Sequence, residues 1–221
     1  MVKIERNPVA PADLAIEKAK SSGTYDTVAV RGQLRADSHN KCYLCERKPP
    51  HSPDIEHLRP HKKGKYRDLM FDWNNLFYSC HHCNLVKNRE RYEQNVLDCC
   101  RVDPETVIHQ SIVGSKVKVT PIVSTVVAEN TAQLVEDCFE LRNTSARIFN
   151  CQDLFAALQD TMIGFYKKLK EHKNQPTEET LRELRGMLSR EYQFAGFTRT
   201  YVRDHLDKYP DLASYVELNA N

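Results

Sequence analysis

Two Cys-x-x-Cys units, Cys42-Tyr43-Leu44-Cys45 and Cys80-His81-His82-Cys83, constrain this chain more than any other feature. Each unit can set two thiols on a tight turn, the knuckle geometry of a tetrahedral structural zinc site. One unit alone would fit a redox motif equally well, whereas two in one chain point to a shared metal. The amino terminus, Met1-Val2-Lys3-Ile4-Glu5-Arg6, is too polar for the core of a secretory signal. No apolar run approaches the roughly 20 residues that span a bilayer. A cytoplasmic address without membrane association is expected, and in that reducing compartment paired cysteines hold metal more often than they form disulfides. Four cysteine ligands close the coordination sphere. Zn2+ bound by Cys42, Cys45, Cys80 and Cys83 should therefore be structural, and catalysis must come from other residues.

The remaining cysteines, Cys99, Cys100, Cys138 and Cys151, have no knuckle spacing and read as small buried residues. His81 and His82 lie inside the second knuckle, where a role as surface or nucleic-acid contacts fits better than metal ligation. The 34 residues between the knuckles exceed the usual ribbon spacing, so something substantial is inserted there. That insertion carries Asp54-Ile55-Glu56-His57-Leu58-Arg59-Pro60 and Asp72-Trp73-Asn74-Asn75-Leu76, and Asn84-Leu85-Val86-Lys87-Asn88 follows the second knuckle. Hydrolysis of a phosphodiester needs an activated water, a cation at the phosphate and stabilisation of the leaving oxygen. Glu56 offers a hard oxygen for Mg2+ or Mn2+, and His57 is titratable near neutrality. Asn84 offers a second oxygen, with Asn88 one helical turn later on the same face. Alone, His57 would be an ordinary satisfied histidine and Asn84 a helix cap. Their joint placement between two knuckles gives the set its meaning.

Charge supports the same stretch. The formal net charge is only +2, yet His57 to Tyr92 carries eight Lys or Arg against three acids. Such a patch attracts phosphate backbones, although a solvated loop and helix face would look the same. Elsewhere the pattern concerns fold. A helix is expected over about Asp13 to Ser21, and Val107, Ile112, Val117, Val119 and Ile122 alternate as strands around a Gly114-Ser115 turn. From Asn130 the period becomes helical. Leu154, Leu158, Met162, Phe165 and Leu169 form one stripe, Thr177 a cap after a break at Lys173–Pro176, and Leu181, Leu184, Leu188 and Tyr192 a second stripe. A last helix is expected over Phe194 to Tyr209.

The succession Cys-x-x-Cys, Glu56-His57-Leu58-Arg59-Pro60, Asn75-Leu76 and Cys80-x-x-Cys83-Asn84-x-x-Lys87 resembles the HNH, or ββα-metal, nuclease family. The resemblance implies an α+β fold: a zinc-stapled ββα-metal HNH core over 41–100, preceded by a lead-in over 1–40. A β-hairpin connector follows over 101–128, then a helical C-terminal region over 129–221. It implies that His57 is the general base, that Glu56 and Asn84 hold the catalytic cation, and that Asn75 braces the hairpin loop. Asn88 falls where relatives place a third ligand, and Arg59 and Lys87 suit phosphate contacts. More loosely, the wording Glu56-His57-Leu58-Arg59-Pro60, the Asp103-Pro104 pair and the Phe194-Ala195-Gly196-Phe197-x-Arg199 segment resemble the HNH nuclease subunit of Septu anti-phage systems, including versions attached to retrons. That likeness implies a DNA substrate and an ABC-type ATPase partner, sometimes with a retron reverse transcriptase and its RNA. The helical half would then be a docking module, or else the private core of a helical subdomain. A non-catalytic zinc module that binds nucleic acid or protein is the competing reading. It shares the cysteines and the basic patch but has no need of Glu56, His57 and Asn84 together.

Overall fold

A computed structural model describes residues 1–218, in which two short antiparallel sheets lie among nine α-helices. The chain opens with α1 (Ala12–Ala19) and α2 (Val28–Asp37). The second helix starts at Thr27, whose hydroxyl accepts from the Val30 N–H at 3.2 Å and satisfies one of the orphan donors of the first turn. The sequence pattern gives only the first of these helices, and the lead-in is more than a lead-in. Leu14, Val30 and Leu34 are buried against Ile55, Phe71, Trp73, Leu76 and Tyr78, forming one of two hydrophobic clusters.

β1 (Pro53–His57) pairs with β2 (Leu76–Cys80) in the register Pro53↔Cys80 to His57↔Leu76. The connection contains the single turn α3 (Arg67–Met70), and α4 (His81–Lys87) follows β2 without a break. Every residue of β2 is buried because the strand is covered on both faces. Leu76 and Tyr78 enter the cluster under α1 and α2, while Phe77 enters the larger cluster on the other side. This is the period-two alternation of a strand between two cores.

The alternation after the knuckles becomes β3 (Ile108–Val113) and β4 (Lys116–Pro121), joined through Gly114-Ser115 with Gly114 at φ +61°. α5 (Val126–Glu140) lies on β4 and also touches α4. The carboxylates of Glu140 and Glu136 accept from the backbone N–H of Val117 and Val119, each at 2.9 Å. α6 (Ser145–Asn174) buries the expected stripe of Leu154, Leu158, Met162, Phe165 and Leu169. Thr177 caps α7 (Glu178–Met187), as the break before it suggests.

The end of the chain departs from expectation. α7 stops before Tyr192, because Lys41 Nζ binds the carbonyls of Arg190 and Tyr192 at 2.5 and 3.1 Å and holds that segment in a turn. The last helix is also shorter. α8 spans Ala195–Arg203, and α9 (Ala213–Val216) is a separate turn. The larger hydrophobic cluster runs through all of this, since Cys42, Leu44, Phe77 and Val86 share it with Phe139, Leu158 and Phe197. No helix among the described residues is long and apolar enough to cross a membrane.

One ion network ties the segment before β3 to the last helices. Glu105, fully buried, receives Arg199 Nε at 2.8 Å, Arg203 Nη1 at 2.6 Å and Arg190 Nε at 3.0 Å. Burial alone would raise its carboxyl, but Arg199 and Arg203 outweigh that and hold it below the usual carboxylate value. Its contribution to stability is therefore complete above the ordinary carboxylate range and is lost as pH falls through the lowered folded value. Glu105→Gln removes the negative charge that three guanidiniums share and is expected to cost about 3–5 kcal/mol at neutral pH. Urea unfolding across the acid range should show the wild type losing stability more steeply than the variant. Parallel acid limbs would mean that the network is energetically idle.

Candidate functional site

The first knuckle sits on the turn that follows α2. Cys42 N–H donates to the Arg47 carbonyl at 3.1 Å, Glu46 N–H to the Cys42 carbonyl at 2.9 Å, and Glu46 takes a left-handed φ of +63° to close the turn. The second knuckle is the β2–α4 junction itself, Cys80 ending the strand and Cys83 lying in the helix. All four thiols are buried and their sulfur atoms lie within 4.8 Å of one another. Zn–S bonds of about 2.3 Å at tetrahedral angles place sulfurs about 3.8 Å apart, and Cys45 Sγ and Cys80 Sγ are 3.9 Å apart. Burial opposes ionisation of Cys42, yet hydrogen bonds from Cys45, Cys80 and Cys83 take its thiol well below the ordinary value. Four buried sulfurs at this spacing are a donor set that a soft divalent cation would draw together, so the cluster fits structural zinc. Neither histidine of the second knuckle replaces a sulfur. His81 Nδ1 faces Asp54 Oδ2 at 2.8 Å, and His82 Nε2 faces the Cys138 carbonyl at 2.8 Å. Cys99, Cys138 and Cys151 are buried and Cys100 half-buried.

The knuckles bring β1 and α4 together around a cavity of about 250 Å³ lined by Glu56, His57, Asn84 and Asn88, with Tyr25, His61, Lys62 and Lys63 beside them. Successive residues of a strand point to opposite faces, yet Glu56 and His57 both line this cavity, and among the described residues β1 pairs only with β2. His57 Nε2 lies 3.1 Å from the Met70 carbonyl. A carbonyl only accepts, so Nε2 carries the hydrogen and Nδ1 keeps its lone pair. The Tyr25 ring meets the imidazole edge-on at 4.5 Å between centroids, and His61 flanks it at 4.5 Å. Burial pushes the His57 ring down to about 4, which leaves it neutral near pH 7 with the Nδ1 lone pair unprotonated.

Glu56 is buried, with Oε1 3.0 Å from Lys87 Nζ. Its Oε2 is also buried and has no hydrogen-bond partner among the described residues. Burial pushes its carboxyl up to about 7, against the attraction of Lys87. An unpartnered carboxylate oxygen of this kind fits a hard divalent cation. Asn84 Nδ2 donates to Asp54 Oδ2 at 2.9 Å, and its Oδ1 accepts from Asn88 Nδ2 at 3.2 Å. Asn88 thus touches Asn84 across one turn, as the helical spacing anticipates.

The structure places three other expected residues away from the cavity wall. Asn75 lies behind it, donating from Nδ2 to the carbonyls of Arg59 and Leu69, both at 2.9 Å, and accepting the Arg59 N–H at 2.8 Å. It therefore staples the chain leaving β1 to the chain entering β2. Arg59 faces outward, 3.8 Å from Asp72. Lys87, expected to suit a phosphate contact, is turned inward instead. Its ammonium is buried, bound to Glu56 and to the His57 carbonyl at 3.0 Å, because the fourth position of α4 after Cys83 points at β1.

Sequence reasoning missed Tyr25, His61 and Asp54. Asp54 had a signal, since it lies two residues before Glu56 on the same strand face. His61 follows the quoted motif directly. Tyr25 had none, for the helices that carry it to the cavity are distant in sequence. The chain matches no protein-family model and no curated protein.

Purified protein should contain one zinc per chain by elemental analysis. Cys45→Ser should lose that metal and unfold at markedly lower temperature, while Cys138→Ser keeps it. Retention of zinc in Cys45→Ser would remove the tetrathiolate assignment.

Proposed function

We propose that this chain is a metal-dependent endonuclease of the HNH kind, hydrolysing phosphodiester bonds of DNA. The observation that carries the reading is the convergence of two different unfilled capacities on one cavity. His57 has a free Nδ1 lone pair in a neutral ring, and Glu56 has a buried oxygen without a partner. Glu56 and Asn84 would hold a divalent cation, Mg2+ or Mn2+, with Asn88 within reach of Asn84. Bound there, the cation supplies positive charge for the scissile phosphate and leaving oxygen. His57 Nδ1 accepts the proton of the attacking water. The Met70 carbonyl and the Tyr25 ring fix the imidazole in the orientation and tautomer that this demands. Asn75 keeps the loop carrying His57 closed, and Lys62 and Lys63 draw the phosphate backbone towards the cavity. The sulfur cluster takes no part in these steps.

DNA as the substrate, and an anti-phage setting with an ABC-type ATPase partner and in some versions a retron reverse transcriptase with its RNA, rest on the motif resemblance. Co-purification from the native host tests the partnership. A second reading, a zinc-stabilised module that binds without cutting, draws on the Lys87 ammonium that already neutralises Glu56.

One assay separates the two readings. Plasmid and single-stranded DNA are incubated with Mg2+, Mn2+ or neither, comparing wild type with His57→Ala. Loss of the general base should slow cleavage ~10²–10⁴-fold with zinc content unchanged. Equal rates would sink the mechanism, and no cleavage by wild type would favour the binding module.

A further inference from the structure

Beside the candidate site lies a second and larger cleft, of about 570 Å³, which the reaction just described does not use. The two cavities share Pro60 and Lys62 in their walls. One loop separates them. Tyr66 N–H donates to the His61 carbonyl at 3.1 Å and Lys65 N–H to that of Lys62 at 3.2 Å, while Lys62, Lys63 and Gly64 all take left-handed φ values of +50°, +55° and +85°. This winding sends His61 into the small cavity and Tyr66 into the large one. Non-glycine residues in that region persist only where surrounding contacts hold them, and they concentrate at functional segments.

The lining of the large cleft has the composition of a ligand site rather than a packing fault. Leu58, Leu69 and Val96 give it an apolar floor, Tyr66 an exposed aromatic wall, and Gln94 and Asn95 two side-chain amides. Its volume falls within the range of small-molecule pockets. Charge identifies the visitor. Arg59 and Lys62 line the cleft, Lys65 sits over the Tyr66 ring at 5.4 Å, and the one acid in the wall, Glu93, is paired with Lys62. A cleft with apolar residues, an aromatic side chain, two amide residues and a cationic rim suits a nucleobase on its sugar-phosphate chain.

We propose that this cleft takes one unpaired base of the strand whose phosphate enters the His57 cavity, so that the substrate is single-stranded or locally opened nucleic acid. The inference rests on the nuclease reading and narrows it. In an intact duplex the bases are stacked inside, and reaching this wall would require extrusion.

Fluorescence anisotropy tests it with labelled single-stranded and duplex DNA of one sequence, in a His57→Ala background whose cutting is slowed and with Mg2+ and Mn2+ left out. The single strand should bind more tightly, and adding Tyr66→Ala should weaken it about 5- to 100-fold, the loss of one base–aromatic stack. Tyr66→Phe should keep the affinity, and Gln94→Ala, a second exposed-wall variant, should lower it. Duplex binding should change little. Equal affinity for both forms, or equal losses on both from Tyr66→Ala, would overturn the base subsite. The nuclease reading has its own readout. Wild type that cuts plasmid while Tyr66→Ala binds and cuts normally sinks only the subsite. Tyr66-dependent single-strand binding by wild type that never cuts sinks the nuclease and leaves a single-strand binding cleft.

Discussion

The meeting of four thiols at one buried point decides where everything else in the candidate site can be. Two come from the turn after α2 and two from the β2–α4 junction, segments about 35 residues apart in sequence. A small two-stranded sheet and a helix of seven residues have little stability of their own. Tied at that point, with Tyr43 N–H also donating to the Tyr78 carbonyl at 3.0 Å, they hold β1 and α4 at a fixed separation. The cavity is the gap that separation leaves. The cluster positions the site without touching what enters it.

Inside the cavity the electrostatics are unusual for so small a space. Glu56 and Lys87 are both buried, and taking two charges out of water costs several kcal/mol before their attraction is counted. Lys87 offsets this by also bonding the His57 carbonyl, so one ammonium fixes both the acid and the backbone of its neighbour. His57 is kept neutral by the same burial. In water the carboxyl would titrate below the imidazole; burial inverts that order, carrying Glu56 upward and His57 downward.

How much of this was legible in sequence varied with the range of the forces involved. The α6 stripe, the Thr177 cap and the β3–β4 turn are set by near neighbours, and each appears where the pattern puts it. The cysteine spacing gave the cluster, and the helical step gave the Asn84–Asn88 contact. α2 was hidden because its apolar positions, Val30 and Leu34, are few and its burial depends on Trp73 and Tyr78 far along the chain. Tyr25 was hidden with it. Lys87 was misjudged because sequence supplies its charge but not its direction, and only the packing of α4 on β1 turns it inward. The segment that separates α7 from α8 is held by Lys41 and Glu46, residues some 150 positions earlier.

The hairpin of β3 and β4 carries a last consequence. A two-stranded sheet has two open edges, and an open edge is a template for any extended chain that drifts past. On β4 that template is already filled. Glu136 and Glu140 take the outward N–H groups of Val119 and Val117, so α5 stands where a further strand would add. Carboxylates accept but cannot donate, and they repel the carbonyls of an incoming strand. The outer edge of β4 is therefore closed to growth by strand addition, and a partner that meets it there must do so through side chains and the surface of α5.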